Sequence, residues 1–229
     1  MAKPAGVFDA SRYFRGTSDL GFYNVGIPLV RRLAREIHVA HRGAWSMDEA
    51  MRFAAVLMRD RHLEAKAVGI EVVARHPDRF RPRLLAEYKR WLATGHAANW
   101  ATTDSICGSL IGPLVAHHPA LAPALAGWAR HRNLWVRRAA AVGLIPLVRQ
   151  GHALALAYEV ATRLRADRED LIQKAVGWML REAGKADQPR LERFLRAAGP
   201  LTPRTTLRYA IERFPAARRR MLLTVTRTG

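Results

Sequence analysis

The sequence predicts an all-α protein of stacked antiparallel helix pairs, one domain over residues 1–229 with a short lead at 1–18 and a basic tail from about 216 to 229. Three observations predict it. Leu and Ala dominate a chain that is 49% hydrophobic, and no segment sustains the period-two alternation of β-branched and aromatic residues that strands require. One short motif recurs along the chain. Between its copies lie further stretches with helical periodicity.

The motif is read as "EAKAVGI" at 64–70, "RRAAAVGL" at 137–144 and "QKAVGWML" at 173–180. "SICGSL" at 105–110 keeps the phase, and "LRYAIERF" at 207–214 keeps it without the glycine. The reference position falls at 69, 108, 143, 177 and 211, in steps of 39, 35, 34 and 34 residues, the spacing of a helix-pair repeat. The intervening helices are "FRPRLLAEYKRWLA" at 80–93, "PALAPALAGWARH" at 119–131, "HALALAYEVATRLRA" at 152–166 and "QPRLERFLRAAG" at 188–199. Short breakers such as "ARHPDRF", "AHHPA", "VRQGH" and "GKADQP" separate them. Small residues at the recurring positions let neighbouring helices approach closely, so the repeats are expected to stack as a HEAT-like solenoid with a concave basic face.

Charge narrows the partner. Thirty-eight Lys and Arg against 19 Asp and Glu leave a formal +19, which points to a polyanion; each phosphate neutralised by a basic side chain releases condensed counterions. An anionic membrane surface competes with nucleic acid for that role, and an arginine-rich composition can also raise the charge with no partner. No apolar run is long enough to span a bilayer and no single helix concentrates the basic residues. Cys107 is the only cysteine, so no intrachain disulfide forms and a cysteine-rich metal site is excluded. "MAKPAGVFDASRYF" lacks the apolar core of a signal peptide. A soluble, cytoplasmic monomer is expected, nucleoid-associated when on DNA, with no cofactor or metal.

Nucleophile, zinc-protease and P-loop signatures are absent, and His117 and His118, adjacent at a helix boundary, do not face a common ligand. Lys185 is expected in a turn, with no neighbouring feature that marks it as a catalytic amine. What remains is Trp100, Asp104, Arg138 and Trp178 in successive repeats. "NWATTDSICGSL" sets Trp100 and Asp104 one helical turn apart behind Asn99, a plausible N-cap. Each residue also has a structural reading: Trp100 and Trp178 as core aromatics, Asp104 solvated near a helix N-terminus, Arg138 solvated or paired between helices.

"NWATTDSICGSLIG", "NLWVRRAAAVGL" and "IQKAVGWMLREAGK", with weaker matches at "GIPLVRRLAREI" and "LEAKAVGIEVVARHP", resemble in order and spacing the AlkD-type DNA alkylation-repair glycosylases over roughly residues 20–215. The resemblance implies a monofunctional glycosylase that removes cationic alkylpurines of the 3-methyladenine and 7-methylguanine type from duplex DNA without base flipping. It assigns the catalytic aspartate to Asp104, the flanking tryptophans to Trp100 and Trp178, and the arginine to Arg138. Asn99 and Ala101 replace a tryptophan and an acidic residue common in the family, Asp170 and Leu171 stand where aromatics are frequent, and "GIP" is compact. The alternative is a non-catalytic helical-repeat protein that binds DNA or branched nucleic acid; a protein-binding scaffold is a third reading.

Overall fold

The computed structural model describes Phe14 and residues 20–226, so most of the expected lead at 1–18 lies outside the described residues. The described residues form helices and no β-strand, apart from an isolated bridge between Gly21 and His62. The chain divides into two compact units, Met1–Leu110 and Ile111–Gly229.

In the first unit α1 spans Ile27–Ala40, α2 Met47–Arg59, α3 Leu63–Ala74, α4 Leu84–Ala93 and α5 Trp100–Ile106. α2 begins at a capping box in which the Ser46 side chain accepts from the Glu49 amide while the Glu49 carboxylate accepts from the Ser46 amide. α3 carries the first Ala-Val-Gly copy and packs on α1, α2 and α5. At Gly69 a Cβ would stand 3.2 Å from the Ala54 Cα, so the glycine permits the close approach of α2 and α3. Lys66, buried on α3, donates to the Met58 carbonyl at 2.6 Å and satisfies an end carbonyl of α2.

In the second unit α6 spans Gly112–His117, α7 Ala122–Gly127, α8 Leu134–Val142, α9 Ile145–Arg149, α10 Leu154–Leu164, α11 Asp170–Ala186, α12 Gln188–Ala198, α13 Arg204–Ala210 and α14 Ala216–Val225. The motif-bearing helices α8, α11 and α13 lie side by side, with α10 and α12 packed on α11, as a helix-pair repeat requires. At Gly177 a Cβ would meet the Tyr209 Cβ at 2.5 Å and the Thr206 carbonyl at 2.8 Å, the tightest of the repeat contacts. Buried Glu182 on α11 accepts from Arg149 of α9 at 2.9 Å and from Lys185 at 2.7 Å. Burial opposes its charge, but these two bonds prevail and hold the carboxyl below its ordinary value.

Two details differ from the sequence expectation. Gly108 shares the motif's phase yet is exposed, with nothing within 4 Å of where a Cβ would lie, so it makes no close helix contact. The reason is local: Cys107–Ile111 forms a π-helical turn. Pro113, which follows it, has no amide hydrogen to donate and its ring crowds the preceding turn, so the regular helical bonding cannot pass through. The basic C-terminal stretch also has more structure than a tail. Ala216–Val225 is helix α14, anchored by fully buried Leu222, by the pair of Arg218 with Glu192 at 2.5 Å, and by Arg204 donating to the Leu223 carbonyl.

Candidate nucleic-acid and catalytic site

The start of α5 is fixed by its cap. Asn99 is extended, its side-chain oxygen accepts from the Thr102 amide at 2.8 Å, and its Nδ2 donates to the Thr102 hydroxyl at 2.9 Å. Thr103 donates from Oγ1 to the Ala97 carbonyl at 3.0 Å. Asn99, Thr102, Thr103 and Ile106 are all buried and point one way. At roughly 100° per residue, Trp100 and Asp104 then leave α5 together on a different side. Both are half-buried, so neither has been absorbed into the core.

A partner absent from the sequence reading meets Trp100. The Phe14 ring stacks on the indole with centroids 5.2 Å apart and planes 5° from parallel, and Phe22 contacts Phe14 at 5.4 Å. Residues 21–23 are tied to the start of α3: Gly21 donates to the Arg61 carbonyl at 2.9 Å, Leu63 donates to the Gly21 carbonyl at 3.0 Å, and the Tyr23 amide donates to buried Glu64 at 3.1 Å. Tyr23 stacks on His62 at 4.0 Å. No motif marks Phe14. Its only sequence signal is the aromatic density of the N-terminal stretch.

In the second unit the structure places Arg138 on α8 and Trp178 on α11. α8 is also capped by an asparagine, Asn133, which accepts from the Trp135 and Val136 amides at 2.8 and 3.3 Å. Arg138 is buried and donates from Nη1 to the Leu171 carbonyl at 2.5 Å, which ties α8 to the first turn of α11. Its neighbour Arg137 makes a second tie, to Asp167 at 2.6 Å, with both side chains mostly buried. Sequence reasoning singled out only the first of these arginines, because nothing in the "RR" pair shows which one pairs with a carboxylate that follows 30 residues later.

Trp178 is half-buried, directly after the tightly packed Gly177. One helical turn before it, Lys174 pairs with Asp170 at 2.7 Å. That bond raises the lysine's pKa above its ordinary value against burial, and the nearby Arg138 charge works in the opposite direction. Lys174 therefore stands one turn before Trp178 on α11 and within electrostatic reach of Arg138. Asp170 and Leu171 have local uses here: Asp170 partners Lys174 and the Thr205 hydroxyl, and Leu171 contributes its backbone carbonyl to Arg138.

The remaining candidates resolve as structural. Cys107 is buried, His117 Nδ1 lies 2.8 Å from the Pro113 carbonyl, and Lys185 is bound to Glu182. Among the described residues no group of three or more His, Cys, Asp or Glu is arranged to hold a metal ion, and no helix is long and apolar enough to cross a membrane.

The fold and these residues can be set beside known proteins. The family model described as DNA alkylation repair enzyme matches residues 1–214, which include all four candidate positions. A solved structure described as a predicted DNA alkylation repair enzyme from Enterococcus faecalis is similar with a TM-score of 0.77, covering 90% of this chain and 93% of that chain at 19% identity. At that identity the likeness establishes a shared helical-repeat fold. No curated protein matches the chain. With the family model covering nearly its whole length, this chain belongs to the DNA alkylation repair enzyme family.

Proposed function

We propose that the protein is a monofunctional glycosylase that excises cationic alkylpurines, of the 3-methyladenine and 7-methylguanine type, from duplex DNA. The single observation that carries this reading is the pairing of Asp104 with Trp100 on one half-exposed side of a rigidly capped helix start. Alkylation at a ring nitrogen gives the purine a positive charge, so the glycosidic bond is already weak. As the C1′–N bond breaks, its electron pair moves onto the base, which leaves neutral. The sugar becomes oxocarbenium-like. Water then adds to C1′ and loses a proton, giving free base and an abasic site with no covalent enzyme intermediate.

The work left for the protein is electrostatic. Asp104 stabilises the growing positive charge on the sugar and orients the attacking water. The Trp100 indole holds the cationic nucleotide through its π-face, and the family resemblance gives Trp178 the same kind of role. Arg138, preset by its bond to the Leu171 carbonyl, supplies fixed positive charge for a phosphate beside the lesion. Since the departing base needs little protonation, no deep pocket is required to bind and protonate it, which is compatible with the excision without base flipping that the family resemblance implies.

Methylated duplex DNA incubated with the protein in chelator, with free base measured by chromatography, tests the proposal. Wild type is expected to release both adenine and guanine adducts. Asp104→Asn should lower the rate on the order of 100- to 1,000-fold while leaving duplex affinity in place. An equal rate from Asp104→Asn would overturn the assignment, and a wild type that binds DNA without releasing base would establish the non-catalytic alternative.

A further inference from the structure

We infer that Phe14 is a positioning residue for the reaction, setting the plane of the Trp100 indole from behind so that it meets a cationic nucleotide with a defined face. This inference rests on the glycosylase reading above. Phe14 lies parallel to the indole within 5° at 5.2 Å, an offset stack that covers one face of the ring. A ligand approaching Trp100 therefore meets the opposite face or the edge.

The stack is itself supported. Phe22 backs Phe14, and the Phe22 backbone is held between the Gly21 bonds to Arg61 and Leu63 and the Tyr23 bond to Glu64. The chain of contacts runs from the start of α3 through Phe22 and Phe14 to Trp100 on α5, within one compact unit. Rotation about χ1 and χ2 is the freedom a half-buried tryptophan retains, and a parallel ring against its face removes most of it. Cation–π attraction falls steeply as a cation moves off the ring face, so fixing the plane matters most in the transition state, where the positive charge passes from base to sugar. Phe14 touches no reacting atom in this account; it acts through Trp100.

The test compares Phe14→Ala with Phe14→Tyr in the full-length protein. Single-turnover release of 7-methylguanine should fall about tenfold in Phe14→Ala, with duplex affinity unchanged, and return to near wild type in Phe14→Tyr, which restores a ring. In protein labelled with 5-fluorotryptophan, the Trp100 resonance, assigned by Trp100→Phe, should shift and broaden in Phe14→Ala while the other tryptophan resonances stay in place. A global shift of those resonances, an unchanged release rate, or a loss of rate that Phe14→Tyr does not recover would each overturn the inference. A wild type that releases no base would overturn the glycosylase reading instead, and the wild-type control separates the two failures.

Discussion

Asn99 shows how a single side chain can prepare a site without taking part in its chemistry. It is the buried cap whose side-chain oxygen receives the Thr102 amide at 2.8 Å. Replacing it by alanine leaves that amide without its partner and frees the turn from which Trp100 and Asp104 emerge. Asn99→Ala should cost about 1 kcal/mol in urea unfolding, whereas Asn99→Asp, which keeps the accepting oxygen, should cost less. Arg138 makes the complementary point. Burial and a carbonyl partner satisfy its interhelical reading, and the same bond fixes the charge that the proposed phosphate contact uses.

At the scale of elements, the repeat is a packing device whose glycines are not equivalent. Gly177 sits where α11 meets α13, and an added methyl would collide with the Tyr209 Cβ at 2.5 Å and the Thr206 carbonyl at 2.8 Å. Gly108 occupies the same phase in the π-helical turn and faces open space. Gly177→Ala should therefore destabilise the protein by about 1–3 kcal/mol through overpacking. Gly108→Ala should stabilise it by about 0.5–1 kcal/mol by reducing the freedom of the unfolded chain. Thermal melts of the two variants check both signs. The ties between successive helices are polar as well as apolar, with Arg137–Asp167, Arg138–Leu171 and Arg149–Glu182 each linking α11 or the turn before it to an earlier helix.

For the whole molecule, the net charge of +19 is the property with the longest reach. In the proposed role it supplies sequence-independent attraction to duplex phosphates, and its signature is salt dependence rather than affinity alone. Fluorescence anisotropy with undamaged duplex should give a linear fall of log K with log salt. Neutralising about six phosphates would weaken binding on the order of 1,000-fold between about 50 and 200 mM salt. Binding to duplex that ignores salt would speak against a phosphate-directed surface, and no binding at all would favour the protein-scaffold reading.

The sequence by itself determined the helical-repeat architecture and the positions of its repeat helices, while the candidate roles of Trp100, Asp104, Arg138 and Trp178 came from its resemblance to a known family. The architectural features are local or periodic. Hydrophobic spacing, small residues at fixed intervals and an asparagine cap act within one turn of helix or recur with the repeat, so they are written in neighbouring letters. Tertiary structure alone decided which motif glycine is a contact and which is solvent-facing, because that depends on where Pro113 interrupts the helix and on what α13 brings to Gly177. It alone brought Phe14 onto Trp100 across 86 residues of chain and divided the roles of Arg137 and Arg138. Pairings at such separations are chosen by the packing of whole helices, and short-range spacing carries no record of them.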